Sequence, residues 1–229
     1  DLHSFPTRRS SDLVLKVASS MGIPSYIQEQ NAFPGVANKM LEKHVKNVFL
    51  GFEEGGKFFK HPEKHIVTGN PVRSSFFNFD RNDARRALGL KEEDFMLLVF
   101  GGSLGAGKIN QAMIEVIKKY NSVEDVKVFF ATGKSYYEPI MTELADKQIV
   151  IGKNIYISEY IEDMQIYLAA ADLVVSRSGA LTVSEIAITG RPSILIPSPN
   201  VTGDHQTFNA RAIFSTRSEE RRVGKECRS

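Results

Sequence analysis

Residues 171–212 read ADLVVSRSGALTVSEIAITGRPSILIPSPNVTGDHQTFNARA, the most regularly patterned stretch of the chain. Leu173–Ser176, short, apolar and β-branched, predicts a strand. After a polar turn, Ala180–Thr189 predicts a helix. Gly190 suits the left-handed residue that ends it, and Pro192 blocks continuation. Ile194–Pro197 predicts a second strand, followed by a loop and a further helix. Polar residues collect where both strands end: Ser176, Arg177, Ser178 and Gly179 after the first, then Asp204, His205, Gln206 and Asn209 after the second. In an open α/β sheet that edge is where ligands bind. Ser178-Gly179 leaves backbone N–H groups at a helix N-terminus, which suits a phosphate. Glu185 falls about one helical turn further in, where a carboxylate can accept hydrogen bonds from a ribose diol. On spacing alone, the same residues also fit an ordinary helix start whose acid complements the macrodipole. Residues 204–209 equally fit a polar loop capping the last helix.

Just upstream the alternation is regular. The sequence predicts a helix over Asp83–Leu88, a strand over Phe95–Phe100, and the loop GGSLGAGK. A helix over Ile109–Tyr120 follows, with Ile109, Met113, Val116, Ile117 and Tyr120 on one stripe. Next come a strand at Val126–Ala131, a helix at Tyr137–Asp146, a strand at Asn154–Ile157 and a helix at Met164–Ala170. Strands separated by single helices predict a doubly wound parallel sheet of about five strands. Further toward the N-terminus the pattern is shorter. Val14–Ser20 reads as the end of a helix, Ser25–Gln28 as a strand delivering Glu29-Gln30-Asn31, and Val36–Val45 as a helix. Val48–Phe52 and His65–Thr68 read as two more strands, and Pro71 forbids helix at Asn70. The weakly patterned run 74–82 is the expected domain junction.

Composition narrows the function classes. No apolar run approaches the ~18 residues of a membrane span. The N-terminus has no basic–apolar–small pattern, so no signal peptide is expected. The formal charge of +2 resides in residues 217–229, which hold five basic and three acidic residues, so residues 1–216 are formally neutral. That argues against nucleic acid as a partner. Cys227, in the same tail, is the one cysteine, which excludes a disulfide framework or thiolate metal site and fits a cytoplasmic setting. The five histidines show no ligand spacing. The pairs Phe58-Phe59 and Phe76-Phe77 are expected to pack in a core or hinge rather than anchor to a membrane. The flanks DLHSFPTRRSSDL (1–13) and 215–229 lack sustained apolar periodicity and are expected to be foreign to the fold.

The loop Gly101–Ala106 lies between a strand and a helix, where glycine lets backbone approach a ligand. Read from Gly102 to Lys108 it also fits the spacing of a phosphate-binding P-loop, but Ile109 stands where a magnesium-binding Ser or Thr belongs. A tight structural turn is the third reading. Arg73, in Gly-Asn-Pro-Val-Arg, reads on its own as a solvated arginine.

Five motifs in order carry a resemblance: Glu-Gln-Asn-x-x-Pro-Gly-x-x-Asn-Lys at 29–39, Gly-Asn-Pro-Val-Arg at 69–73, Gly-Gly-Ser-x-Gly-Ala at 101–106, Ser-Gly-Ala-Leu-Thr-Val-Ser-Glu at 178–185, and Asp-His-Gln-Thr-x-Asn-Ala at 204–210. Over about residues 14–214 the chain resembles the MurG family of peptidoglycan N-acetylglucosaminyltransferases, which convert lipid I to lipid II. The resemblance implies a GT-B architecture, an α/β fold of two doubly wound domains with a cleft between them. Residues 14–78 would be the end of the acceptor-side domain and 79–214 the UDP-sugar-binding domain.

The implied partners are UDP-N-acetylglucosamine, lipid I and, peripherally, the cytoplasmic face of the plasma membrane; no cofactor and no obligatory protein-bound metal are implied. By similarity, Glu185 would bind the ribose hydroxyls. Ser103 with Ala180, Leu181 and Thr182 would bind the diphosphate, with Val183 and Ser184 in the same substrate-binding segment. Backbone at Ile161 would meet the uracil and Gln206 the sugar hydroxyls, while Asn31 and Arg73 would line the cleft from the first domain. Three departures stand out. The family's glycine-rich opening loop, which carries the proposed general base, has no counterpart, and neither do its closing helices; Leu104 replaces a common Gln. The chain by itself is therefore expected to bind donor weakly and not to turn over. The alternatives are another GT-B enzyme, a P-loop nucleotide hydrolase and a non-catalytic nucleotide-binding module.

Overall fold

The computed structural model describes residues 7–199 and 201–216. In chain order the main elements are α1 (Thr7–Ser20), β1 (Tyr26–Glu29), α2 (Val36–Leu41), β2 (Asn47–Leu50), β3 (His65–Val67), α3 (Arg81–Ala87), β4 (Phe95–Phe100) and α4 (Gly107–Tyr120). There follow β5 (Val126–Ala131), α5 (Lys134–Asp146), β6 (Ile155–Ser158), α6 (Met164–Ala170), β7 (Leu173–Ser176), α7 (Ala180–Thr189), β8 (Ser193–Leu195) and α8 (His205–Thr216). Short 3-10 turns join several of them. The chain forms two compact units, one of Asp1–Gly69 with Val201–Ser229 and one of Asn70–Asn200.

The first unit carries a parallel three-stranded sheet ordered β1-β2-β3. Ile27, Leu41, Val45, Val48, Leu50 and Phe59 make its apolar cluster. A small cluster needs help from polar groups, and two buried carboxylates supply it. Glu29, 3% exposed, accepts from the Asn31 N–H (2.9 Å), Asn31 Nδ2 (3.2 Å), the Gly35 N–H (3.0 Å) and Asn38 Nδ2 (2.8 Å). Glu42 accepts from the Lys60 and His61 N–H groups and lies 3.2 Å from His65 Nε2. Burial raises the Glu42 pKa, but these donors together hold it below the usual glutamate range.

The helix expected over Val36–Val45 stops at Leu41 and tightens into a 3-10 turn over Glu42–His44, whose Glu42 carbonyl accepts from Lys64 Nζ. The α1 helix crosses residue 13, where the first flank was drawn. Residues 1–6 and 217–229 of the two expected flanks lie outside the described residues.

The second unit is built on a five-stranded parallel sheet ordered β6-β5-β4-β7-β8. Its two faces follow from strand alternation. Met96, Leu98 and Phe100 of β4, Phe129 and Ala131 of β5, and Val174 of β7 point to one face, under α3, α6 and α7. Val99, Val128, Phe130 and Ile155 point to the other, with Leu97 and Val175 packed against them, under α4 and α5. Both faces being covered explains strands that read as near-continuous apolar runs. A half-buried ion-pair cluster ties α3 to the sheet. Asp172 accepts from Arg81, from Arg85 Nη1 (3.0 Å) and from the Met96 N–H (2.8 Å), and Arg85 also donates to three backbone carbonyls.

The unit boundaries differ from the expected division at 78/79. Phe76 is buried in the second unit's core with Val72 packed against it, so that unit begins at Asn70. Residues 201–216 cluster with the first unit rather than with the second. Asn209 Oδ1 accepts from the Ala32 N–H (2.8 Å), Asn209 Nδ2 donates to Asn31 Oδ1 (3.1 Å), and Phe208 stacks on Phe33. Of the aromatic pairs, Phe59 and Phe76 are buried as expected, but Phe77 is 65% exposed.

Candidate functional site

In the second unit the chain leaves β4 for β5 and β6, then returns to place β7 on β4's other side. That reversal is the topological switch point, and ligands bind at the carboxyl ends of the two strands that flank it. Phe100 and Ser176, the last residues of β4 and β7, are register partners. The loops Gly101–Ala106 and Arg177–Gly179 therefore leave the sheet side by side.

The second of these loops feeds α7. Gly179 is extended at the N-cap (φ −60°, ψ 145°) and no side chain caps the helix. The first N–H bonded within the turn is that of Val183, to the Gly179 carbonyl. The N–H groups of Ala180, Leu181 and Thr182 are thus presented at the helix's positive end. Arg177 braces the exit by donating from Nη1 to the Ile196 and Pro197 carbonyls (3.1 and 2.8 Å). At the far end Gly190 adopts the left-handed conformation (φ 66°) and its N–H reaches Ile186 and Ala187.

One turn inside α7, the half-buried Glu185 carboxylate accepts no hydrogen bond from any described residue. Burial pushes its pKa above the usual glutamate value, and the positive charge of Arg73 opposes that. A desolvated carboxylate with a distant cation and no donor is an acceptor waiting for hydroxyls. Asn70 brings Arg73 there: its Nδ2 donates to Ser184 Oγ (3.1 Å), which donates in turn to the Ala180 carbonyl (2.9 Å). Arg73 was expected to approach from the first domain; it belongs instead to the same unit as Glu185, because its turn is fastened to α7.

The loop after β4 has a different character. A Cβ on Gly105 would lie 2.1 Å from the Thr132 carbonyl oxygen, one on Gly101 2.4 Å from the Ala106 nitrogen, and one on Gly133 2.5 Å from the Gly105 nitrogen. These glycines are required by protein packed against protein. Gly102 (φ +86°), by contrast, faces open space, and Ser103 and Leu104 next to it are exposed. A P-loop reading finds no support: the Gly105 N–H closes a turn on the Gly102 carbonyl, and Ile109 is buried in the core.

Ile161, in the loop after β6, buries its side chain in the core while its backbone makes no hydrogen bond among the described residues. Val183 is buried beneath α7. Arg73, Ser103, Ile161 and Ala180–Glu185 all belong to the second unit. Asn31 and Gln206 belong to the first unit, where Asn31 is held by Glu29 and Asn209. Sequence reasoning passed over Asn70 and Glu29 as functional supports, marked only by their membership in the five motifs, and counted Arg177 simply among the polar residues at the end of its strand. Among the described residues no group of three or more His, Cys, Asp or Glu could hold a metal, and no helix is long and apolar enough to cross a membrane.

Residues 96–223 match the glycosyltransferase family 28 C-terminal domain. The UDP-N-acetylglucosamine--N-acetylmuramyl-(pentapeptide) pyrophosphoryl-undecaprenol N-acetylglucosamine transferase of Acetivibrio thermocellus is 48% identical over 200 residues, 87% of this chain and 53% of that one. Its counterpart in Desulforamulus reducens is 46% identical over 202 residues, 87% of this chain and 54% of that one. The crystal structure of MurG from Acinetobacter baumannii superposes with a TM-score of 0.64 at 30% identity, covering 87% of this chain and 53% of that chain. The chain spans about half the length of the curated relatives it matches.

Proposed function

This chain belongs to glycosyltransferase family 28, and we propose that it forms the sugar-nucleotide half of an inverting N-acetylglucosaminyltransferase. The donor is UDP-N-acetylglucosamine. The acceptor is the muramyl 4-hydroxyl of lipid I, and the product is lipid II. The observation that carries this reading is Glu185, half-buried and accepting from no described residue, one turn inside the N-terminus of α7, whose N-cap is a glycine, at the switch point.

The division of labour follows from chemistry. Glu185 accepts hydrogen bonds from the two ribose hydroxyls. The N–H groups of Ala180, Leu181 and Thr182, with Ser103 across the β4 exit, take the diphosphate. As the acceptor oxygen attacks the anomeric carbon from the opposite face, the bond to UDP breaks and negative charge grows on the departing phosphate. Fixed N–H groups and the α7 dipole stabilise that charge without reorganising. The backbone of Ile161, which makes no hydrogen bond among the described residues, suits the uracil edge. The site lies on a cytoplasmic, membrane-peripheral enzyme in this reading. The alternative of a P-loop hydrolase has only the Gly102–Lys108 spacing in its favour.

Calorimetric titration of the full chain with UDP-N-acetylglucosamine, UDP and ATP tests this. The uridine ligands should bind and Glu185→Ala should weaken that binding about 10- to 100-fold. A magnesium-dependent preference for ATP would overturn the reading.

A further inference from the structure

Ser184 sits beside Glu185 in the donor segment, yet its hydroxyl is already engaged on both sides, by the Ala180 carbonyl and by Asn70 Nδ2. The first bond is the local back-bond of a helical serine. The second joins residues 114 positions apart. Asn70 opens a turn that Pro71 stiffens, since proline fixes its own φ and pushes its predecessor out of the helical region. Val72 packs against the apolar core, and the Arg73 guanidinium lies over the Phe76 ring at 5.4 Å. Fastening Asn70 therefore fastens Arg73, whose charge is the one that reaches the Glu185 carboxylate.

We propose that Asn70 and Ser184 are positioning residues of the donor site: their hydrogen bond holds the Arg73 turn against α7 and so keeps the Arg73 charge set toward Glu185, while neither side chain touches the donor. This rests on the donor-site reading given above, and it removes Ser184 from the set of direct substrate contacts.

The test follows the Glu185 carboxyl by carbon NMR through a pH titration of the unliganded full chain, the signal being identified by its loss in Glu185→Gln. In Ser184→Ala the Arg73 turn loosens and the Glu185 midpoint rises above its wild-type value. Ser184→Thr keeps the hydroxyl and the wild-type midpoint. Asn70→Ala breaks the same bond without altering the helix and should move the midpoint in the same direction, and adding Ser184→Ala to it should move the midpoint no further. On the same samples, UDP affinity should fall about fivefold in Ser184→Ala, the weight of one ordinary hydrogen bond, and recover in Ser184→Thr. A wild-type midpoint in both Ser184→Ala and Asn70→Ala would overturn the proposal. If the midpoint moves as expected but the wild-type chain binds no UDP, the fault lies with the donor-site reading and the coupling stands.

Discussion

Two crossovers leave the switch point of the second unit, and they use glycine for opposite ends. After β4, Gly101 and Gly105 let the loop press onto the turn at Gly133, with a Cβ at Gly105 falling 2.1 Å from a carbonyl oxygen. After β7, Gly179 has only Thr182 Oγ1 near its missing Cβ, at 3.7 Å. It opens a helix end that no side chain caps. The first loop resembles a phosphate cradle by spacing, but its interior is filled by the protein. The second has a single glycine and leaves its N–H groups presented. Glycine density is thus a poorer guide to a ligand than what a side chain there would strike.

Substitutions at the glycines and at Glu185 bear directly on that contrast. Gly105→Ala should be the most damaging: overlap with Thr132 adds to a left-handed backbone (φ +76°), for a loss of about 3–5 kcal/mol in chemical denaturation. A stable, well-folded Gly105→Ala would break the contrast. Glu185→Ala should weaken UDP binding about 10- to 100-fold, the range expected for hydrogen bonds to a charged group. Its denaturation midpoint should hold or rise, because no described residue donates to that carboxylate.

Proton linkage gives a further effect. Burial raises the Glu185 pKa, so its contribution to folding is fully present below the ordinary glutamate pKa and lost as pH rises through the raised value. UDP affinity moves the other way, falling as pH drops and the carboxylate is protonated. Glu185→Gln should flatten both dependences. Asp172 has the opposite sign. Burial alone would raise its pKa, but the Met96 N–H, Arg81 and Arg85 hold it below the usual range. Its contribution is present above the ordinary aspartate pKa and lost as pH falls through the lowered one, in the glutamine variant too. Gly102→Ala should cost least, about 1 kcal/mol of backbone strain, because its Cβ would meet open space. A loss as large as that of Gly105→Ala would erase the distinction within the loop.

Much of the second unit was legible in the sequence. β4, β5, β7, α6 and α7 fall on the residues their periodicity predicts, and Gly190 ends α7 in the left-handed conformation. These segments are covered on both faces, so burial and pattern coincide. The edge strand β8 falls at Ser193–Leu195 rather than 194–197. The site was legible in part: Glu185 and the α7 N-terminus could be found because capping and dipole rules act locally. The Asn70–Ser184 bond could not, since no periodicity links residues 114 apart. For the same reason the placement of Asn209 was missed. A buried asparagine serving Ala32 and Asn31 looks, in sequence, like any polar residue near a helix start.

The Glu29 carboxylate carries one further consequence. It holds the amides of Asn31 and Gly35 at 2.9 and 3.0 Å within an irregular loop. No strand ladder or helix protects those two protons, yet neither can meet solvent until the same acid lets go. In a deuterium-exchange experiment they should behave as a pair, slow for a loop and closely matched in rate, because one carboxylate sets the time for both.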